Sequence, residues 1–217
     1  LRVAYRRELC RLALWDIQHD HPIEIVGVVA KGLADLADAT VEVAIAVTRA
    51  ELGVTDQQAP LAVIAMGKTG AQELNYLSDV DVIYVTEVPE EANQDVVLAQ
   101  ATKVAQGMQR VIGDIGKEPG LWEVDANLRP EGKDGALVRT LDSHLAYYQR
   151  WAKDWEFQAL IKSRPMAGSM DLGERYRATL EPLIWQASSR DGFVEQVQRM
   201  RERVTETIPA DEEGGQL

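Results

Sequence analysis

The sequence has a single cysteine, Cys10, in 217 residues. One thiol can form neither a disulfide framework nor a cysteine-based zinc site, and this scarcity fits a reducing cytoplasm. Histidine is nearly as scarce: His19, His21 and His144 match no metal-ligand spacing and read as structural or surface residues. No serine or cysteine is paired with any of them, so nucleophilic triad chemistry has no support. A basic excess is missing as well. The 23 Lys and Arg face 35 Asp and Glu, a net charge of −12. Proteins whose main partner is a nucleic-acid backbone carry the opposite sign, because phosphate neutralisation supplies most of that affinity. No apolar run approaches the roughly 20 residues of a membrane-spanning helix, so neither nucleic acid nor membrane is an expected partner. The opening residues, LRVAYRRELC, contain no signal-peptide pattern and no initiating Met, as expected of a piece of a longer polypeptide. Internal repeats and low-complexity segments are absent too.

What remains is an ordinary globular composition, 46% hydrophobic and 27% charged. Residues 1–20 read as a helix, with Val3, Leu9, Leu12 and Leu14 on an apolar stripe. His21-Pro22 interrupts it, and a second long helix is expected from Pro22 to Leu52. After the polar connector VTDQQAP, Leu61–Met66 and the β-branched Val80–Val85 read as buried strands. Residues 90–112 return to helix. Leu121–Leu128 alternates strictly, and Ala136–Thr140 is a short strand after the turn-rich PEGKDG. From Asp142, an expected N-cap, helix is predicted nearly to the end, broken at Arg164-Pro165 and Glu181-Pro182. The expected class is α+β: an N-terminal helical segment (1–56), a small mixed sheet (57–141) and a C-terminal helical segment (142–217).

The first strand runs into Gly67-Lys68-Thr69-Gly70, which resembles the end of a P-loop. A Walker A loop needs a glycine five residues before the Gly of GK[ST], and that position is Ala62. The dinucleotide fingerprint G-x-G-x-x-G fails at Ala65. Two readings stay open: a simple turn, or a glycine turn whose backbone N–H groups approach an anion beside the Lys68 cation.

Asp79 and Asp81 bear on that choice. Residues i and i+2 of a strand point the same way, so the two carboxylates stand together. Ile83 and Val85 continue their face and belong in a core, which puts the pair at the mouth of a buried strand. Two carboxylates about 4 Å apart repel by about 4 kcal/mol at an effective dielectric near 20. An all-oxygen ligand set of this kind suits Mg²⁺, with Mn²⁺ as an alternative. SDVD as a polar strand entry facing water is the competing reading. A third carboxylate weighs against it. In LWEVDANL, Trp122, Val124, Ala126 and Leu128 make an apolar face, and Glu123, Asp125 and Asn127 the polar one. A neighbouring strand would bring Asp125 beside Asp79 and Asp81, as a two-metal site requires. Arg129 follows, within reach of phosphates.

A strand ending at a glycine turn, then Asp-x-Asp, then a later strand Asp, resembles the DNA polymerase β-type nucleotidyltransferase superfamily. Three longer strings, AMGKTGAQELNYLSDVDVIYV, EVDANLRPEGKDGALVRTL and YYQRWAKDWEFQALIKSRPMAG, are similar to the bifunctional glutamine synthetase adenylyltransferase/deadenylylase family. That family adds AMP to, or removes it from, a tyrosine of glutamine synthetase, and carries two catalytic modules in tandem. WEFQALIKSRP and LRPEG resemble the amino-terminal, deadenylylating module. The resemblance runs from about Leu61 to Gly168. It implies Asp79, Asp81 and Asp125 as catalytic and metal-holding residues. It also implies Gly67, Lys68, Gly70, Ser78, Arg129 and Lys162 around the nucleotide phosphates, with ADP or ATP and phosphate as substrates or products. Glutamine synthetase is the implied protein substrate, and a PII-type nitrogen signalling protein a further partner. ATP-dependent adenylylation at the same site, or a non-catalytic nucleotide-binding module, are the alternatives. This chain departs from the family at Ala65 (usually Gly), Thr69 (usually Leu) and Asn127 (often Arg); none of these is one of the three carboxylates. Beyond the sheet, Trp151, Trp155, Gln158 and Lys162 are spaced to share a helix face. Trp151, Tyr147 and Tyr148 are expected in the core, and Arg139 and Arg164 stay open between phosphate contact and solvated cation.

Overall fold

The computed structural model describes residues 1–189 and Gln198. Strands β1 (Ala62–Ala65) and β2 (Val80–Thr86) pair antiparallel, with Ile64 opposite Ile83. Two short strands, β3 (Val124–Asp125) and β4 (Val138–Thr140), lie parallel to β2 along its other edge, pairing with its first and last residues respectively. β5 (Arg164–Gly168) closes the sheet, antiparallel to β1. The sheet is therefore mixed, in the order β3-β2-β1-β5 with β4 also on β2. Its middle strands are nearly continuous apolar runs because helices cover both faces.

On one face lie α2 (Pro22–Leu52) and α4 (Gln94–Gly113). Ile25, Val29, Leu33, Ala37, Val41, Ala44 and Ile45 of α2 recur at helical spacing and bury against Val63, Val82 and Tyr84. α2 thus shares one core with the sheet. The two helices cross closely at Gly107, where a Cβ would lie 2.2 Å from Thr48 Cγ2. Pro22 starts α2 where its missing N–H costs nothing, and Gly53 ends it at φ 64° in the left-handed region. Asn93 caps α4 by accepting from the N–H groups of Asp95 and Val96. On the opposite face, α5 (Leu141–Arg150), α6 (Asp154–Leu160) and α7 (Met170–Ser188) bury Tyr148, Phe157, Leu172, Tyr176 and Leu180 against Ile64, Met66, Ile83 and Val85.

Helix α1 (Arg2–Gln18) lies on α2 but buries no residue of its own. Leu9 and Leu12 of the expected stripe pack at the core margin, whereas Val3 and Leu14 are 65% and 58% exposed. Polar contacts tether α1 instead. Arg2 donates to the carbonyls of Val111 (2.9 Å) and Glu118 (2.7 Å), and Arg6 to that of Pro119 (2.6 Å).

Several local expectations are corrected by the structure. Of Leu121–Leu128 only Val124 and Asp125 pair with β2, so Leu128 leaves its expected face and packs with the opposite core. Thr140, not Asp142, caps α5, its hydroxyl accepting from the Ser143 N–H at 3.2 Å. The segment at Arg164-Pro165 is an edge strand rather than a helix break. Proline is tolerated on an edge strand because alternate N–H groups there face away from the ladder, and Pro165 sits beside a shift in the register with β1. Pro182 lies inside α7 without ending it. The predicted helix over 190–217 lies outside the described residues.

Candidate active site

β1 delivers the chain to Met66, and a five-residue helix, α3 (Gly67–Ala71), takes the place of the expected glycine turn. The Met66 N–H donates to the Asp81 carbonyl at 2.9 Å, which stitches the start of α3 to β2. Gly67 has φ 52°, and a Cβ there would lie 2.5 Å from Asp81 Oδ2. A side chain at 67 would therefore occupy the space of the Asp81 carboxylate. Gly70 meets a different constraint: its Cβ would stand 2.1 Å from the Lys162 carbonyl oxygen and 2.7 Å from that of Ala65. It is a packing glycine.

Asp81 enters the sheet directly opposite Asp125, its parallel partner on β3. Asp79 precedes β2 by one residue and points the same way. The three carboxylates each offer an oxygen within 4.8 Å of the others, the only such cluster of possible metal ligands among the described residues. Asp125 is held by an Asx turn, its Oδ1 accepting from the Asn127 N–H at 2.6 Å. Asp-x-Asn is a readable signal for that turn. The crowding leaves an electrostatic signature. Burial first, then the charges of Asp79 and Asp125, push the Asp81 carboxyl up from 3.8 to about 6, with Lys68 opposing them. Such a site favours a cation or a proton. The donor set fits a hard divalent ion: three carboxylates, no nitrogen or sulfur.

The remaining expected site residues are distributed as follows. Lys68 is exposed at the front of α3, and Ser78 is half-buried just before Asp79. Arg129 is engaged by its own loop. Its guanidinium donates to the carbonyls of Ala126 (2.8 Å), Lys133 (2.9 Å) and Gly135 (3.1 Å), which shapes the chain leaving Asp125. Lys162 follows α6 and pairs with Glu73 at 2.7 Å, both side chains being exposed. Glu73 was not expected from the sequence, where nothing pairs it with a residue so far along the chain. The expected face of Trp151, Trp155, Gln158 and Lys162 does not form, because α5 ends at Arg150 and α6 starts at Asp154. Tyr148 is buried as expected and Tyr147 half-buried, its hydroxyl donating to Glu156 at 2.8 Å. Trp151 is 73% exposed, since it caps α5 where the chain turns outward. Arg139 pairs with Glu131 and lies over the Tyr147 ring, and Arg164 pairs with Asp38. His144 is buried against Tyr148 and Tyr176, and burial lowers its pKa to about 3.

Comparison with known proteins bears on what this arrangement does. The model of the glutamate–ammonia ligase adenylyltransferase family matches residues 1–179. The chain belongs to that family. Among its relatives, the protein from Leifsonia xyli subsp. xyli, described as a bifunctional glutamine synthetase adenylyltransferase/adenylyl-removing enzyme, is 54% identical over 96% of this chain and 22% of its own length. Proteins of the same description from Streptomyces avermitilis and Mycobacterium tuberculosis are 53% and 50% identical, covering 98% and 100% of this chain and 21% of their own lengths. The chain thus spans about a fifth of the length of the curated relatives it matches. No helix among the described residues is long and apolar enough to cross a membrane.

Proposed function

We propose that this chain is a metal-dependent nucleotidyl-transfer module of polymerase β type that removes AMP from the adenylylated tyrosine of glutamine synthetase. One observation carries the reading: β2 and β3 bring Asp79, Asp81 and Asp125 to within 4.8 Å of one another beside the glycine-led helix α3. The names of the relatives support the substrate. The wording of LRPEG and WEFQALIKSRP supports the adenylyl-removing sense. The 57–141 segment holds the three carboxylates, and the helical segments around it are assigned to support and docking.

Asp79, Asp81 and Asp125 would hold Mg²⁺ or Mn²⁺. When bound, the metal supplies charge neutralisation at the phosphoryl oxygens and lowers the barrier to in-line displacement. The chain's own residues position the reactants. A phosphate oxygen attacks the AMP phosphorus, the bond from phosphorus to the tyrosyl oxygen breaks, and ADP and a free tyrosine leave. Gly67 keeps the space beside Asp81 open. Lys68, with Ser78 and Gly70 along the same edge, faces the phosphates, and its charge is already felt at Asp81. Lys162 is assigned to the phosphates once it leaves Glu73, while Arg129 acts through the loop it shapes. Such sites work by positioning and electrostatic stabilisation more than by covalent chemistry. The enzyme would act in the cytoplasm, with a PII-type protein as its regulatory partner.

The test is ADP release from adenylylated glutamine synthetase by the full-length protein, with Mg²⁺, with and without phosphate. Phosphate-dependent ADP that disappears in Asp81→Asn is the expected result. AMP incorporation from ATP, with no phosphorolysis, would reassign the module to adenylylation.

A further inference from the structure

Helix α3 carries Gly67 and Lys68 but has only five residues. A helix that short is not stable by itself, so its placement against Asp81 must come from tertiary contacts. Three polar tethers reach it or the residues that follow it. Gln72 Nε2 donates to Asp35 Oδ1 at 3.0 Å and Lys162 Nζ to Glu73 Oε2 at 2.7 Å, both at the exposed surface. The third is different in kind. Asp38, on α2, accepts two hydrogen bonds from the Arg164 fork, at 2.6 Å from Nη1 and 3.0 Å from Nη2. Nη2 also donates to the Thr69 carbonyl of α3 at 3.2 Å. The two side chains are only 25% and 19% exposed. Bidentate arginine–carboxylate geometry of this kind fixes orientation as well as distance.

We propose that Asp38 is a positioning residue for the phosphate side of the site: it holds the Arg164 guanidinium on the Thr69 carbonyl and so seats α3, with Gly67 and Lys68, against Asp81. Several facts converge on this. Gly70 sits so tightly on the carbonyls of Lys162 and Ala65 that α3 has one seat, and Arg164 opens the strand that forms the back of that seat. Gly67 leaves no room for even a methyl group before the Asp81 carboxylate, so a shift of α3 by a few tenths of an ångström changes the approach of Lys68. Burial raises the Asp38 carboxyl pKa despite Arg164, which marks the pair as a poor source of stability and leaves orientation as its return. The contact also ties α2 to the end of the sheet where Arg164 lies opposite Ala65 and β1 passes into α3, which gives this N-terminal helix a part in the site. The inference rests on the nucleotidyl-transfer reading for its effect on rate, but not for its effect on α3.

The experiment compares wild type with Asp38→Asn, Arg164→Lys and Glu42→Gln in the full-length protein. Glu42 is the control, because its carboxylate joins α2 to the Gly168 N–H at 2.7 Å without touching α3. Three quantities are measured: hydrogen exchange of the 66–73 peptide, Mn²⁺ affinity, and kcat with KM for phosphorolysis. Asp38→Asn and Arg164→Lys should each speed exchange of 66–73 by about tenfold or more and lower kcat about tenfold, with Mn²⁺ affinity within about twofold of wild type. Glu42→Gln should change none of these. On a Lys68→Ala background Asp38→Asn should lower kcat no further, since both act through the same turn. Exchange of 66–73 unchanged in both variants, or rate losses that multiply with Lys68→Ala, would overturn the proposal. A wild type without phosphorolysis, with exchange loosened in the variants, would overturn the assigned reaction while leaving Asp38 as the residue that seats α3.

Discussion

Replacing Asp81 by Asn should make the metal-free protein more stable while abolishing its response to Mg²⁺. The folded carboxyl is pushed up from 3.8 to about 6 by burial and by its two acidic neighbours, so at neutral pH its charge opposes folding. The interval from 3.8 to about 6 corresponds to about 3 kcal/mol at full strength. Asp81 is half-buried and its neighbours reach solvent, and screening brings the figure to about 1–2 kcal/mol. That is a rise of about 2–8 °C in Tm for a domain of this size. The pH dependence has a definite sign. Between 3.8 and about 6 the folded state holds the proton more tightly than the unfolded chain, so this contribution is fully present below 3.8 and is lost as pH rises through 6. The advantage of Asp81→Asn should therefore grow as pH rises from about 4, be complete above about 6, and be well under half its full size at pH 4.5. Differential scanning fluorimetry at pH 4.5 and 7.5, with EDTA or with Mg²⁺, reads both effects. Wild type should gain stability from Mg²⁺ at pH 7.5, and Asp81→Asn should not. A variant less stable than wild type in EDTA at pH 7.5, or one that still responds to Mg²⁺, would refute the assignment of Asp81 as a crowded ligand.

Gly67→Ala forces a left-handed backbone on alanine at a cost of about 1–2 kcal/mol and drives a methyl into Asp81 Oδ2; Mg²⁺ affinity by calorimetry should drop at least about tenfold, and an unchanged affinity would sink the steric account. Arg129→Ala removes a charged donor from three loop carbonyls and should destabilise by about 2 kcal/mol in urea unfolding, more than a surface arginine would. Lys162→Ala breaks only an exposed pair with Glu73, so stability should change by less than about 1 kcal/mol, while KM for phosphate should rise if Lys162 serves the phosphates as proposed; an unchanged KM assigns it to the surface. Thr140→Ala removes the α5 cap for about 1 kcal/mol in thermal unfolding, with the Mg²⁺ response unchanged.

The Asp-x-Asp at the entry of an apolar strand, the later strand Asp and the apolar runs around them are written in the sequence, although Asp79 lies just before β2 and strand periodicity strictly covers only Asp81 onward. The long helices are legible from their periodicity: α2 repeats its apolar residues every three or four positions over 31 residues between Pro22 and Gly53. Local periodicity could not show which strands become neighbours. That Asp81 faces Asp125, 44 residues further along, follows from the parallel pairing of β2 with β3, a non-local contact that no local pattern encodes. β5 escaped the sequence reading because RPMAG is short, contains proline and is a strand only while β1 lies beside it. Trp151 looked like core because tryptophan usually is, but a two-helix turn carries it to the surface. The cations tell the same story. Sequence distinguishes Lys68, Arg129, Lys162 and Arg164 only by type, whereas the folded chain gives Arg129 to its own loop and Arg164 to Asp38. Chemistry-bearing residue types come from the sequence; which of them meet, and which are already engaged, is decided by packing at long range.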